Sequence, residues 1–211
     1  MVLGRDEMNL TVVIYPGVDE LDALGPYAVL SRGSRVDPTF RVALASADGE
    51  PVTGAGGAVL TPHRRLTPAL AGDLLLVPGG GWNARSAAGA RQQASDPALL
   101  ECIRDSRRSG AIIAGVCTGV MILAHAGILH GRTVVTHAGA IPELRAFDAT
   151  VVEDARVVDD GTVITCGGVT SGIDLALHVL QRWLGSEAAE RVSAGIEYRI
   201  RGPVVVTSAA S

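Results

Sequence analysis

Residues 111–126 have the sequence AIIAGVCTGVMILAHA. This stretch indicates the fold most clearly, and the patterns in the rest of the chain agree with it. An unbroken apolar strand runs directly into Cys117, and an apolar helix follows it. Gly115 and Gly119 lie two residues to either side of the cysteine, which is the spacing of a G-x-S-x-G nucleophile elbow with Cys in place of Ser. A strand that is apolar throughout and is followed by a helix predicts a parallel sheet covered on both faces.

The same alternation of strand and helix continues on both sides of this stretch. Runs of β-branched and aliphatic residues predict buried strands, and apolar residues at helical spacing predict helices. Strands are predicted over 10–15, 40–46, 73–77, 111–116, 133–136, 151–158 and 163–165, with a turn at 159–161 and a hairpin over 52–61. Helices are predicted from about 25 to 30 with Pro26 in the first turn, over 97–108 with Asp96 as N-cap, and over 118–126, 141–146, 170–183 and 186–194 with Ser186 as N-cap.

This order of elements predicts a single α/β domain over residues 1–211, with its core at about 10–200. The expected architecture is a three-layer sandwich: a mostly parallel, flavodoxin-like sheet with helices on both faces. In such sheets ligands bind at the carboxyl ends of the strands, so those ends are where functional residues are expected.

The composition excludes several classes of function. All 18 basic residues are arginine, and a chain without lysine forms neither a Schiff base nor a P-loop. The net charge of −4 does not indicate binding to nucleic acid or to an anionic membrane. Cys102, Cys117 and Cys166 match neither a disulfide framework nor a zinc site, and no motif requires a metal or an organic cofactor. The absence of a signal-peptide core and of a membrane-length apolar run favours a cytoplasmic protein.

Cys117 has two interpretations. A free cysteine in an apolar stretch is commonly a structural residue of the core. As a nucleophile, it would lie at the positive end of the following helix, which lowers the pKa of a thiol and favours the thiolate. The elbow is favoured because the preceding strand, both glycines and the following helix all match it.

Polar groups that follow neighbouring strands are the candidate partners of this cysteine. Asp22 is either a solvated surface acid or a desolvated carboxyl with a raised pKa that relays a proton. Thr118 either donates its hydroxyl to a thiolate or substrate, or caps the helix. Gly79 and Gly80 either form a plain turn or direct backbone N–H groups into an oxyanion hole.

His137 is the histidine that follows a predicted strand. It is a candidate for substrate binding, and the alternative is that it only satisfies local hydrogen bonds. Trp82, Asn83 and Tyr27 are expected to line the pocket.

Four stretches together resemble the DJ-1/PfpI superfamily, also called the class I glutamine-amidotransferase-like family, over about residues 10–200. Its isonitrile hydratase branch has an Asp in an LD-x-x-GP-Y context, as at Asp22, and a Thr after the nucleophile, as at Thr118. PfpI-type proteases instead have a Cys-His dipeptide, and the DJ-1 branch has Glu at the acid position. The stretches are VVIYPGVDELDALGPYAVL (12–30), DLLLVPGGG (73–81), IIAGVCTGVMILAHAGILHGRTVVTH (112–137) and ITCGGVTSGIDLALHVL (164–180).

The resemblance implies a lyase that adds water to an isonitrile, R–N≡C, and yields an N-substituted formamide without a cofactor. In that scheme the Cys117 thiolate attacks the terminal carbon, and Asp22 protonates that carbon or positions water. Thr118 and the N–H groups of Gly79 and Gly80 hold polar atoms in place. The resemblance also implies a homodimer.

Related activities on the same site remain alternatives. They are a glyoxalase-like or amidase-like enzyme, or a non-enzymatic redox or ligand sensor that uses the same cysteine. Similar domains occur fused to AraC-type helix-turn-helix regulators, but only about ten residues follow Arg201, so no nucleic-acid partner is expected.

Overall fold

The computed structural model describes residues 7–67 and 72–207 and confirms the α/β sandwich. Residues 1–6, 68–71 and 208–211, which belong to the predicted domain, lie outside the described residues. The strands are β1 (Met8–Val13), β2 (Phe40–Ser46), β3 (Val52–Thr53), β4 (Val59–Leu60), β5 (Arg64–Arg65), β6 (Leu74–Val77), β7 (Ile112–Val116), β8 (Arg132–Val134), β9 (Ala149–Val151), β10 (Val157–Asp160), β11 (Val163–Cys166) and β12 (Val204–Val206). The helices are α1 (Glu20–Val36), α2 (Ala90–Gln93), α3 (Pro97–Arg108), α4 (Gly119–His125), α5 (Ile141–Leu144), α6 (Ser171–Leu184) and α7 (Ser186–Gly195), and a 3-10 helix spans Ala138–Ala140.

The main sheet has eight strands in the order β12-β10-β11-β7-β6-β1-β2-β5. Within it only β10 and β11 pair antiparallel, so the predicted, mostly parallel sheet is confirmed. The order β2-β1-β6-β7-β11 is the 2-1-3-4-5 order of flavodoxin-like folds. The switch point of that order lies between β1 and β6, where a crevice opens beyond the strand ends.

Helices cover both faces of this sheet. One group consists of α1, α6 and α7, which pack against one another, and a second group places α2 and α3 against α4. The strands between them are buried, and Leu74, Leu75 and Leu76 of β6 have no exposed surface. Phe40 is the one aromatic ring among the largest fully buried side chains of the described residues, so the core is aliphatic.

The first helix begins earlier than predicted, and this difference matters for the site. It starts at Glu20 instead of near Gly25, and Pro26 lies inside it. The Asp19 carboxylate accepts hydrogen bonds from the N–H groups of Leu21 and Asp22, which satisfies donors of the first turn. Asp22 therefore lies on a helix instead of in a loop.

Three other predicted boundaries are wrong. The strand predicted over 151–158 is two strands: β9 pairs with β8 in a small separate sheet, while β10 joins the main sheet. The turn after β10 lies at residues 161–162, because Asp159 and Asp160 still pair with β11. Ser186 is the first residue of α7, and Gly185, with φ 91°, precedes it as N-cap. The sequence did not predict the edge strand β12, a run of only three valines that pairs with the distant β10.

No helix among the described residues is both long enough and apolar enough to cross a membrane.

A buried ion pair attaches the C-terminal segment to this fold. The fully buried carboxylate of Asp174, on α6, accepts hydrogen bonds from Arg156 Nε at 2.5 Å, the Tyr198 hydroxyl at 2.9 Å and the Arg201 N–H at 2.9 Å. Arg156 Nη2 also donates to Thr170 Oγ1 at 2.8 Å. One guanidinium thus links α6, the loop before it and the start of β10.

Replacing Arg156 by Ala should lower the free energy of unfolding by about 3–5 kcal/mol, because it leaves the Asp174 charge buried without its partner. Urea denaturation measures this change. The control is Arg191→Ala, which removes the exposed pair with Glu187 at 3.0 Å and should have little measurable effect. Equal effects of the two substitutions would contradict the prediction.

Candidate active site

The carboxyl ends of β1, β6 and β7 meet at one cavity of about 200 Å³. These three strands are parallel neighbours, so the residues that follow them are brought to the same edge of the sheet. The lining residues come from the start of α1, the loop after β6, the elbow after β7 and two later loops; they are Asp19, Asp22, Gly80, Gly81, Trp82, Asn83, Ala84, Cys117, Thr118, His137 and Val169.

The backbone at Cys117 has the geometry that the elbow motif predicts. Its φ is 56°, in the left-handed region that a residue with a Cβ rarely adopts. A Cβ on Gly115 would lie 2.9 Å from the side chains of Val120 and Leu123. A Cβ on Gly119 would lie 2.1 Å from the carbonyl oxygen of Val77, so Gly119 is required for this turn, whereas Gly115 allows close packing of the two side chains.

The Cys117 thiol is nearly buried, and its pKa is not the one expected at a helix N-terminus. Burial, together with the nearby Asp22, raises the pKa of the thiol to about 12, although backbone N–H groups of Val169 and Thr118 hydrogen-bond to the sulfur and act in the opposite direction. The prediction of a lowered thiol pKa is therefore wrong. The helix behind the elbow, α4, has only seven residues, and desolvation outweighs its dipole.

The Asp22 carboxyl is fully buried beside this thiol. Burial, and then the charge of Asp19, raises its pKa to about 8. Oδ2 accepts a hydrogen bond from the Gly79 N–H at 3.1 Å, whereas Oδ1 has no hydrogen-bond partner among the described residues. Asp22 and Cys117 each perturb the pKa of the other, so they form one coupled pair. At neutral pH this pair consists of a carboxylic acid and a thiol.

The backbone donors predicted for an oxyanion hole are already engaged. The Gly79 N–H is bound to Asp22, and the Gly80 N–H donates to Thr118 Oγ1 at 3.1 Å. Both N–H groups thus have partners within the protein, and their role in binding an oxyanion stays a prediction. A Cβ on Gly79 would lie 2.4 Å from Thr118 Oγ1, so this loop packs directly against the elbow.

The Thr118 side chain does not cap α4. Its hydroxyl oxygen instead accepts from Gly80, and this bond joins the loop after β6 to the elbow after β7. A second threonine secures the elbow from another side, because Thr136 Oγ1 donates to the Cys117 carbonyl oxygen at 2.8 Å.

His137 lies at the rim of the cavity and caps the 3-10 helix. Its Nδ1 accepts the Gly139 N–H at 2.9 Å and lies 3.0 Å from Asn83 Nδ2. In the neutral ring, this arrangement puts the proton on Nε2. His137 thus makes local hydrogen bonds and also lines the cavity.

Several cavity residues match the sequence reasoning and others do not. Trp82 and Asn83 line the cavity as expected, whereas Tyr27 contacts His63 instead. The sequence did not indicate Val169 as a cavity residue. No local pattern predicts a β-branched residue at φ 23° whose N–H group hydrogen-bonds to the Cys117 sulfur. Asp19 is close to Asp22 in the sequence, and its place before a helix is a typical capping signal, but the sequence pattern did not single it out as a cavity residue. No group of three His, Cys, Asp or Glu side chains among the described residues is arranged to hold a metal ion.

Comparison with protein families and known proteins agrees with this arrangement. The sequence model of the DJ-1/PfpI family matches residues 8–182. The chain is 34% identical over 191 residues to an isonitrile hydratase of Pseudomonas putida, covering 90% of this chain and 78% of that protein. It is 31% identical over 187 residues to a Parkinson disease protein 7 homolog of Danio rerio, covering 87% of this chain and 93% of that protein.

Other similar proteins extend this range. The transcriptional regulator CdhR of Pseudomonas aeruginosa is 34% identical over 155 residues, which are 73% of this chain and 44% of the regulator. A crystal structure of a ThiJ/PfpI family protein from Pseudomonas syringae superposes with a TM-score of 0.80 at 27% identity, over 93% of this chain and 77% of that one.

Replacing Asp22 by Asn should change how stability depends on pH. The pKa of Asp22 is raised in the folded protein, so between about pH 4 and 8 the folded state holds a proton that the unfolded state has lost. The wild-type protein therefore loses stability as pH rises through this window, and the variant lacks this loss. The difference in unfolding free energy, variant minus wild type, should therefore increase by a few kcal/mol across this window, because each unit of pKa shift corresponds to about 1.4 kcal/mol. Denaturation at pH 4.5 and pH 8 measures it, and a constant difference would contradict the raised pKa.

Proposed function

The chain belongs to the DJ-1/PfpI family, and from this premise we propose that it is a lyase that hydrates isonitriles to N-substituted formamides. The observation that carries the proposal is the buried pair of Asp22, with a pKa of about 8, and the thiol of Cys117. An isonitrile carbon must receive a proton and a nucleophile at the same atom. A protonated carboxyl beside a thiol supplies both. The similarity to an isonitrile hydratase supports the same reaction.

In the first step the carboxylic proton of Asp22 passes to the lone pair of the terminal carbon of R–N≡C. The Cys117 sulfur forms a bond to the same carbon, and the thiol proton passes to the Asp22 carboxylate. The product is a thioimidate, R–N=CH–S–Cys117, with Asp22 protonated again. Because its pKa is raised, Asp22 remains protonated at neutral pH, where an ordinary Asp would have lost its proton.

In the second step water adds to the C=N bond of the thioimidate. Its oxygen bonds to carbon, and a proton reaches nitrogen through Asp22. The C–S bond then breaks, the sulfur takes back a proton, and R–NH–CHO leaves. As the bond breaks, negative charge develops on sulfur, and the N–H groups of Thr118 and Val169 that contact it stabilise that charge.

The surrounding residues have positioning roles in this scheme. Thr118 and Gly80 join the two loops through their hydrogen bond, which holds the elbow against the loop after β6. Gly79 orients the Asp22 carboxyl through its N–H, so that Oδ1 is left to exchange protons with the substrate. His137 and Asn83 form a paired polar rim at which the substrate or the formamide binds.

Replacing Cys117 by Ala should abolish formation of formamide from an alkyl isonitrile, and Asp22→Asn should lower kcat by about 10²- to 10⁴-fold while the fold persists. Gas chromatography of the formamide measures both. The control is Cys102→Ala, which removes another buried thiol outside the cavity and should leave turnover unchanged. Full activity of Cys117→Ala would exclude the covalent scheme.

Assays for other products separate the related activities. Lactate from methylglyoxal in place of formamide would identify a glyoxalase-like enzyme, and ammonia from an amide an amidase-like one. A sensor would bind a ligand without consuming it, or would gain oxygen on Cys117 under peroxide without turnover.

We also propose that the protein acts in the cytoplasm, consistent with its three free thiols, and as a homodimer. Glu20 holds α1 to the β3–β4 hairpin through the N–H groups of Gly56 and Ala58. The adjoining residues Leu21 and Val59 are large apolar side chains exposed to 42% and 67%. Such a pair is suited to burial against a second copy.

Val59→Asp should therefore shift the mass in light scattering from about twice the chain mass of 21.7 kDa toward the monomer. Val206→Asp is the matched control, since Val206 is also 67% exposed but lies on the edge strand β12. A wild-type monomer would overturn the dimer, and equal effects of both variants would overturn this interface.

A further inference from the structure

We infer that Asp19 selects the substrate by charge: the cavity admits uncharged isonitriles and excludes those whose R group carries a carboxylate or another anion. This inference rests on the proposed function for its substrate class. The charge selection itself is a property of the cavity and is testable without turnover.

The cavity is lined by acidic side chains and by no arginine. Asp19 and Asp22 line it, and among the described residues no arginine does; the chain has no lysine. The nearby Arg91 is held elsewhere, because it stacks over the Trp82 ring at 4.3 Å and pairs with Glu143 at 2.5 Å. An anionic substrate therefore meets no arginine or lysine among the described lining residues.

The Asp19 carboxylate is fixed in place at the start of α1. Oδ1 accepts from the N–H groups of Leu21 at 3.0 Å and Asp22 at 3.3 Å. No described residue donates a hydrogen bond to Oδ2, so the charge is not neutralised by an ion pair. It acts on the cavity, since it contributes to raising the pKa of Asp22, which also lines it.

A cavity of about 200 Å³ keeps a small ligand close to this charge. A charge on a ligand held in the cavity lies within about one Debye length of Asp19, so salt screens the repulsion only in part. At the effective dielectric of protein sites, repulsion over such a distance slows the reaction of an anion with Cys117 about tenfold or more.

Alkylation of Cys117 by iodoacetamide and by iodoacetate tests the inference. In both reactions the thiol loses a proton, sulfur bonds to the CH₂ group and iodide leaves. The reagents differ in carrying an amide or a carboxylate. The ratio of the two rates therefore cancels the fraction of thiolate. Dividing it by the ratio for free N-acetylcysteine removes the intrinsic difference between the reagents, and mass spectrometry of the Cys117 peptide gives the rates.

The comparison is made at pH 8 with Asp22→Asn as the starting protein, so that ionisation of Asp22 does not replace the charge that is removed. The normalised ratio should be about ten or more in Asp22→Asn. It should approach one in Asp22→Asn/Asp19→Asn, because Asn caps a helix as well as Asp but carries no charge. Asp22→Asn/Glu20→Gln is the control: it removes a charge from the same turn at a residue that does not line the cavity, and the ratio should persist.

A normalised ratio near one in Asp22→Asn, or an unchanged ratio after Asp19→Asn, would overturn the inference. With wild-type protein, kcat/KM should be at least about tenfold higher for an alkyl isonitrile than for an ω-isocyano carboxylate of equal length. Charge selection in alkylation without hydration of any isonitrile would remove the proposed function and leave the selection standing. Hydration of both isonitriles at equal rates would remove the selection alone.

Discussion

Burial of the Asp22 carboxyl beside the Cys117 thiol is the constraint on which the rest of the site depends. Neither group can ionise cheaply without water, so both keep their protons at neutral pH. The surrounding backbone is built to hold them close. The left-handed turn at Cys117 and the glycine contacts at Gly79 and Gly119 bring three strand ends together with no room for a Cβ atom. In the proposed reaction, this pair of groups transfers the protons.

This arrangement changes the chemistry that an elbow is expected to perform. The N–H groups of Gly79 and Gly80 hold Asp22 and Thr118. The donors that contact the sulfur are those of Thr118 and Val169. In the proposed reaction these donors stabilise charge on sulfur, and Asp22 supplies the proton to the substrate. Such a site fits the addition of a thiol to an unsaturated carbon better than attack on an amide, which requires stabilisation of a carbonyl oxygen.

Three arginines of the chain form ion pairs with buried acids away from the cavity. Arg156, Arg132 and Arg182 pair with the buried acids Asp174, Asp160 and Asp159, away from the cavity. These pairs hold the C-terminal segment and the edge of the sheet in place. Among the described residues no arginine lines the cavity and the chain has no lysine, whereas the acids Asp19 and Asp22 both line it.

Local patterns in the sequence determined most of the elements and indicated Cys117 as the candidate nucleophile. The elbow was predictable because strand, glycines, cysteine and helix are contiguous, and the end of β1 placed Asp22 near the same edge of the sheet. The direction of the thiol pKa and the partners of Gly79, Gly80 and Thr118 were decided only by the tertiary structure. Burial and hydrogen-bond partners depend on segments far apart in the chain: Asp22 lies 57 residues from Gly79, and Val169 reaches the sulfur from beyond β11. A sequence specifies which groups a strand end carries, but the solvation and the donors that set their chemistry arise only when distant loops pack over them.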